Sequence, residues 1–370
     1  MQPRTSVLLV EEGWHSTLRL SRALEDAGYA VTVLTANGTA TSCSRKTVRW
    51  TSGPTLASAN FDAHIDRMMT AASFDHVLPL TEDAMRRLWN MPVTWRDRIF
   101  PQTEAWQRSL VADKHALVEH MRSRGISTPR HRRVDDTFEL DSAVRELGLP
   151  LVAKSSTGCG GRLVRIVDTR HELTAVLQRA RRLGGDWIVQ EYVPSTTYLV
   201  GGVFHAGEPI RIYAGQKTSQ DPARIGGAVC LRSTHDPALL EIGVRVVREL
   251  RWTGFASVDF VRSRAGSFLL LEVNPRLWGS HAGALEAGVD LMTPFVQLLA
   301  GKTPPVALAF ADNVESWIFP QYLAHRSLRS MLRGLRDLVG EQGRDWRDPR
   351  FLLYTLRRAH RMRRLAQHLD

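Results

Sequence analysis

The sequence predicts an α/β protein in two parts: a parallel-sheet domain, then a larger unit built on antiparallel strands. Three observations carry this expectation. First, the apolar run 6–10 (SVLLV), a helical pattern from Ser16 to Ala27 and a second apolar run at 30–34 make a β-α-β opening. Such an opening implies a parallel sheet with right-handed crossovers. Second, runs at 151–154 and 163–167 flank a glycine-containing loop, a strand–loop–strand pattern. Third, β-rich runs at 255–261 and 267–273 flank a turn-forming stretch at 262–266, the signature of an antiparallel hairpin.

The totals set bounds. A chain of 370 residues is long enough for two or three domains, and 43% hydrophobic with 24% charged is an ordinary globular composition. No apolar run approaches the ~20 residues that span a bilayer, and the N-terminus lacks a signal-peptide pattern. Cys43, Cys159 and Cys230 are odd in number and far apart, which predicts neither a disulfide framework nor a zinc site and suits a reducing cytoplasm. The net charge of +11 raises nucleic acid as a partner, but from Arg326 onward twelve Arg face five acids, so the excess is mostly C-terminal. Only five of the 49 basic residues are Lys: Lys46, Lys114, Lys154, Lys217 and Lys302. Lysine and arginine are not interchangeable, so the retained lysines are candidates for phosphate contacts.

In the first part, Leu18, Leu20, Ala23, Leu24 and Ala27 make an apolar helical stripe, and Gly28 is a plausible C′ cap. A helix is expected at 62–72 and a buried strand at 76–80, ending in Thr81-Glu82-Asp83. Ligands of parallel sheets bind beyond the carboxyl ends of the strands. Trp14 and His15 are therefore candidate substrate contacts, with Glu82 a candidate amine partner. Ser16 and Thr81 read equally well as N-caps. No GxGxxG follows the first strand. A domain boundary is expected near residue 105.

In the second part, Ala112-Asp113-Lys114 leads into a helix that Gly125 ends. The loop 155–162 carries three glycines and small hydroxyl residues between two strands, so it is not a P-loop, which runs into a helix. A glycine loop between strands can close over a triphosphate with its backbone N–H groups, with Lys154 beneath; the alternative is a flexible hairpin loop. A helix is expected at 170–183, strands at 187–194, 198–204 and 210–214, and a polar mobile loop at 216–227 carrying Lys217 and Arg224.

The hairpin carries the chemistry. Glu272 and Asn274 are two apart on a strand and point to one face, and Asp259 across the hairpin can join them. Two carboxylates and an amide oxygen are hard ligands suited to Mg²⁺. The alternative is a half-buried strand with a polar edge.

Taken together, these motifs resemble the ATP-grasp superfamily over about residues 105–300, within it most closely stand-alone carboxylate–amine ligases and carbamoyl-phosphate-synthase-like members. They follow the family's order: Lys114, Lys154 before the glycine loop (Ser156, Gly158, Gly160, Gly161), the adenine-binding segment Gln190-Glu191-Tyr192-Val193, Lys217, then Asp259, Glu272, Asn274 and Arg276. The resemblance implies a Rossmann-like domain at 1–105, a lid at 106–188, an antiparallel core at 189–310 and an Arg-rich helical segment at 311–370. Thr197 stands where many members carry an acidic ribose contact; a hydroxyl can also bind ribose. Ser257 replaces the Arg of D-alanine ligases, which argues against that activity. No biotin-carboxylase-like C-terminal domain is expected in the residues that remain.

The implied activity is ADP-forming ligation. ATP and Mg²⁺, with Mn²⁺ as an alternative ion, would be held by Asp259, Glu272 and Asn274, with Lys114, Lys154 and Lys217 on the phosphates. A small carboxylic acid would become an acylphosphate that an amine then attacks, with Arg276 and Lys217 as catalytic residues. Trp14, His15, Glu82, Arg224, Arg232, Trp278 and His281 would set specificity. Other outcomes are an enzyme that stops at an acylphosphate or carbamoyl phosphate, a carrier-protein-accepting ligase and a nucleotide-binding regulatory module. The Arg-rich tail suits a carrier-protein or nucleic-acid surface, an acidic carrier protein being the partner to test, or a solvated helix packed on the core by Leu328, Leu332, Leu335 and Leu338. Membrane and nucleic acid are not expected partners, a homodimer is an allowed assembly, and the expected location is the cytoplasm.

Overall fold

The structure, a computed structural model, describes residues 4–11, 13, 15–36, 39–44, 49–135, 139–156, 164–183, 186–221, 225–318, 348–351, 353–354 and 357. β1 (Ser6–Val10) and β2 (Ala30–Thr35) flank α1 (His15–Asp26) as a β-α-β unit. α2 (Ala40–Cys43), β3 (Arg49–Ser52), α3 (Phe61–Ala71) and β4 (His76–Pro79) complete a parallel sheet of order β3-β2-β1-β4. Val7 to Val10 are buried, which accounts for the unbroken apolar run of a strand covered on both faces. α1 buries Leu18, Leu20 and Leu24. It ends in a Schellman motif: Gly28, at φ +91°, donates to Glu25 O, and Tyr29 N–H donates to Leu24 O.

α4 (Glu82–Trp89) starts at Thr81, whose Oγ1 accepts from Ala84 N–H at 3.1 Å. That is the capping alternative for Thr81. α5 (Val93–Arg96) and α6 (Ala105–Ala112) lead to α7 (Lys114–Ser123), capped by the Asp113 carboxylate on His115 and Ala116 N–H. A second sheet then forms from β5 (His131–Val134), α8 (Leu140–Leu147), β6 (Leu151–Ser155), β7 (Val164–Val167), α9 (Arg170–Leu183) and β8 (Trp187–Glu191). Its order is β5-β8-β6-β7, all antiparallel. Leu147, Leu151, Ala153, Val167, Leu173, Leu177 and Val189 give it a small core of its own, separate from the main core.

The third sheet comprises β9 (Thr197–His205), β10 (Glu208–Asp221), β11 (Gly227–Ser233), β12 (Gly254–Arg262), β13 (Phe268–Asn274) and β14 (Glu315–Trp317), in order β13-β12-β9-β10-β11-β14. α10 (Pro237–Glu249) packs against it, and α11 (Ala282–Glu286) and α12 (Met292–Leu299) follow β13. One apolar core runs from Val7 on β1 through Phe260 on β12 to Phe295 on α12, joining the first and third sheets.

The structure departs from the sequence expectations at three places. Residues expected as a mobile loop from 216 instead continue β10 to Asp221, paired with β11. Their polarity reflects a strand face that carries site residues. The segment expected to be helical from 311 contributes β14 to the third sheet, through its pairing with β11; residues 349–351, 353, 354 and 357 are helical, and the leucines at 328, 332, 335 and 338 lie outside the described residues. The expected lid boundary at 188 falls inside β8, which pairs with β6 through Glu191. No helix among the described residues is long and apolar enough to cross a membrane.

Candidate active site

The β12–β13 hairpin sets Asp259 directly opposite Glu272 and Ser257 opposite Asn274. Cross-strand partners share a face, as do residues two apart. Asp259, Glu272 and Asn274 therefore project to one side of the third sheet. The register slips between Asp259 and Phe260, so Leu271 has no partner there. The Leu271 carbonyl instead accepts from Lys154 Nζ at 3.3 Å, linking β6 of the second sheet to β13 of the third.

Three lysines converge on this pair from three elements. Lys217 Nζ on β10 lies 2.6 Å from Asp259 Oδ2, and Lys114 Nζ at the start of α7 lies 3.4 Å from Glu272 Oε2. Asn274 Nδ2 donates to Glu272 Oε1 at 3.4 Å. Burial acts most strongly on Glu272 and pushes its pKa up, but Lys114, Lys217, Lys154 and the Asn274 hydrogen bond together bring it down to about 2. The side chain keeps 34% exposure, so the lysines rather than enclosure set its state. Burial raises the Asp259 carboxyl, with Lys217 acting against it. Lys154 is only 7% exposed; burial, then the neighbouring Lys114, lowers its ammonium to about 8 while Glu272 acts to raise it. The site is thus short of negative charge where Lys154 stands.

Behind Asn274 a second pair joins α4 to the segment after β13. Arg276 Nε donates to Glu82 Oε2 at 2.9 Å and its Nη2 to Asn274 Oδ1 at 3.2 Å. The two side chains are 5% and 10% exposed. Glu82 opens α4 beyond the carboxyl end of β4, so the segment after the first sheet contributes directly to the site. Trp278 packs over Gly201 of β9, where an added Cβ would meet its Cη2 and Cζ2 at 2.8 Å. Tyr213 on β10 is the register partner of Gly201. Trp278 Nε1 and the Tyr213 hydroxyl are buried without a hydrogen-bond partner. Each is an orphaned polar group that a polar ligand could satisfy.

The other expected residues fall as follows. Ser156 is buried at the root of the glycine loop; its Oγ donates to the Asp113 carboxylate and its carbonyl accepts from Lys114 N–H at 3.0 Å. Gln190 is buried on β8, and the Glu191 carboxylate takes Arg130 Nε at 2.7 Å. Tyr192 N–H donates to Pro150 O, Val193 lies between β8 and β9, and Thr197 is the buried first residue of β9. His281 is buried with both ring nitrogens engaged, Nδ1 on the Trp278 carbonyl at 2.8 Å and Nε2 on Arg19 at 3.2 Å. Burial, with Arg19 adding to it, pushes its pKa down to about 3. Arg232 is not brought to the cluster: it pairs in register with Gln216, one residue from Lys217 and so on the opposite face, and its guanidinium lies 3.4 Å from Glu315. His15 opens α1. Trp14, Gly158, Cys159, Gly160, Gly161 and Arg224 lie outside the described residues.

Some contributors escaped the sequence reading. Asp113 was legible as a helix N-cap, and Gly201 as a glycine inside a strand, a sign of close approach. Tyr213 carried no distinguishing signal.

The model of an ATP-grasp domain matches residues 111–280, the stretch holding the three lysines, both opposed carboxylates, Asn274 and Arg276. Residues 111–280 are an ATP-grasp domain. Pyruvate carboxylase of Schizosaccharomyces pombe is 25% identical over 198 residues, which is 50% of this chain and 16% of that protein. The chain spans less than half the length of the first curated relatives it matches. The biotin carboxylase domain of Hydrogenobacter thermophilus 2-oxoglutarate carboxylase, solved with MgADP, ADP and bicarbonate, superposes with a TM-score of 0.67 at 18% identity, over 85% of this chain and 74% of that one. An L-amino acid ligase from Bacillus licheniformis superposes with a TM-score of 0.61 at 17% identity, over 80% and 75%. At these identities the shared property is the ATP-grasp fold. The donor set here suits its nucleotide chemistry: two facing carboxylates and an amide oxygen for a hard divalent ion, and lysines for phosphate oxygens.

Proposed function

We propose that this chain is an ATP-dependent, ADP-forming ligase that activates a small carboxylic acid, an amino acid in the first instance, and joins it to an amine. The observation that carries this reading is the placement of Lys217 on Asp259 and Lys114 on the opposed Glu272, with Lys154 on the adjacent Leu271 carbonyl and Arg276 on Asn274. The low pKa of Lys154, set mainly by its burial, marks a place that a phosphate anion would neutralise.

The steps balance as follows. A carboxylate oxygen of the acid attacks the γ-phosphorus, the bond to the β-phosphate bridge breaks, and ADP leaves. The amine nitrogen then attacks the acyl carbon, the C–O bond to phosphate breaks, and the nitrogen sheds one proton. Lys154 and Lys114 hold phosphate oxygens, because phosphoryl transfer depends on positioning and charge neutralisation. Lys217 holds Asp259 in place and takes charge developing on the transferred group. Arg276 would meet the substrate carboxylate with its guanidinium, Glu82 fixes that guanidinium, and Glu82 would be the partner of the amine. Trp278 Nε1 and the Tyr213 hydroxyl would anchor the acid. Mg²⁺ between Asp259 and Glu272, with the Asn274 amide oxygen as third donor, would supply neutralisation across the phosphates, and Mn²⁺ suits the same oxygens. Gln190 to Val193 would line the adenine, Thr197 the ribose, and the glycines at 158, 160 and 161 the triphosphate.

A second reading takes bicarbonate as the acid, giving a carboxyphosphate. It is favoured by the bicarbonate in the biotin carboxylase structure that shares this fold. The experiment is phosphate release from ATP with bicarbonate alone, with acids alone, and with acids plus amines. Release that needs both acid and amine supports the ligase. Release with bicarbonate alone supports the second reading, and no release under any condition favours a nucleotide-binding module. An acidic carrier protein remains a candidate acceptor, tested by salt-sensitive association, and a homodimer is tested by sedimentation.

A further inference from the structure

We propose that His115, Glu119 and His131 form a second metal site, separate from the carboxylate pair, that takes a transition-metal ion of the zinc class. His115 and Glu119 are four apart on α7, so they stand on one face of the helix. His131 opens β5, the edge strand of the second sheet, and faces them. One ligand atom from each lies within 4.8 Å of the others.

Three further observations turn this proximity into a site. The His131 side chain is 2% exposed. Its Nδ1 lies 3.3 Å from the Pro129 carbonyl, which fixes the tautomer with the proton on Nδ1 and leaves the Nε2 lone pair aimed at Glu119. A metal-bound histidine characteristically makes this carbonyl contact with its other nitrogen. Second, Nε2 is buried and lies 3.1 Å from Glu119 Oε1, yet the alignment is not that of a hydrogen bond. Tetrahedral ligation at Zn–N and Zn–O bond lengths separates two donors by ~3.3 Å, so this contact already has the spacing of two ligands on one ion. Third, His115 Nδ1 is a buried polar atom with no hydrogen-bond partner.

The opposing charges are modest. Glu119 Oε1 also contacts the Arg122 guanidinium at 3.1 Å, but both side chains are about half exposed and such a pair is readily given up. Lys154 lies close enough to lower the His131 pKa, although burial does most of that. The neutral ring is therefore the ligand form at neutral pH. Two imidazoles and one carboxylate suit zinc and its neighbours rather than Mg²⁺, which prefers an all-oxygen shell. A bound ion would clamp α7, whose first residue Lys114 reaches Glu272, to the edge of the lid sheet.

The test uses the full chain, stripped with a chelator and titrated with Zn²⁺ against a chromogenic competitor, with Co²⁺ absorbance as a reporter of tetrahedral nitrogen and oxygen ligation. One equivalent per chain is expected. His131→Gln, His115→Gln and the conservative Glu119→Gln should each weaken binding at least about tenfold, while Glu272→Ala leaves it intact. Melting curves of the metal-free variants separate lost ligation from lost folding. Absence of stoichiometric zinc, affinity unchanged by all three substitutions, or loss of zinc in Glu272→Ala would each overturn the assignment. The last result would place the ion at the carboxylate pair.

Discussion

Lys154→Met should separate binding from stability in opposite directions. In the free protein the Lys154 ammonium is buried, and it donates to the neutral Leu271 carbonyl at 3.3 Å. Its pKa stands at about 8 against 10.5 for an exposed lysine. Between those two values the unfolded chain binds more protons than the folded one, so stability contributed at this residue rises with pH across that window. At neutral pH the buried charge therefore costs the fold about 3 kcal/mol. Methionine removes the charge and forfeits a hydrogen bond of about 1 kcal/mol, leaving a net gain of about 2 kcal/mol in the nucleotide-free state. Nucleotide supplies the missing anion, so binding should drive Lys154 to full protonation. At pH 8 about half a proton should be taken up per nucleotide, and much less at pH 7. The phosphate's own last ionisation, near 6, is complete at pH 8 and does not interfere. Calorimetry in buffers of different ionisation enthalpy reads the uptake, and urea unfolding reads the stability. A variant that is less stable than the parent at pH 7, or that still takes up half a proton at pH 8, would refute the reasoning.

Further outcomes follow from the same geometry. Glu82→Gln leaves Arg276 buried without its ion-pair partner, a loss of about 3–5 kcal/mol where both groups are enclosed; thermal melting should show it, and turnover should fall further than nucleotide affinity. Gly201→Ala drives a methyl into the Trp278 ring, at about 1–3 kcal/mol; the expected signature is a raised KM for the acid with nucleotide affinity retained. Arg232→Ala should leave turnover unchanged, because that side chain points away from the lysines and carboxylates; a large drop in kcat would contradict the register between β10 and β11.

The hairpin was legible because its chemistry is local. Asp259, Glu272 and Asn274 sit on two adjacent strands, and period-two alternation puts them on one face before any distant contact is known. The first β-α-β unit was legible for the same reason. The pairing of Glu82 with Arg276 spans 194 residues, and no local pattern joins them; each residue stood out alone. β10 was hidden because its second half, from Gln216 to Asp221, is polar throughout, which gives a strand the composition of a loop. β14 is three residues long and owes its existence to β11 beside it. Tyr213 and His131 depend on burial, which the sequence around them does not announce.

The most direct test of the central claim is a crystal structure of the protein with magnesium and a non-hydrolysable ATP analogue. The account requires the ion between Asp259 and Glu272, with Lys114 and Lys154 turned onto phosphate oxygens. An ion bound elsewhere, or Lys114 still held on Glu272 with nucleotide present, would contradict it.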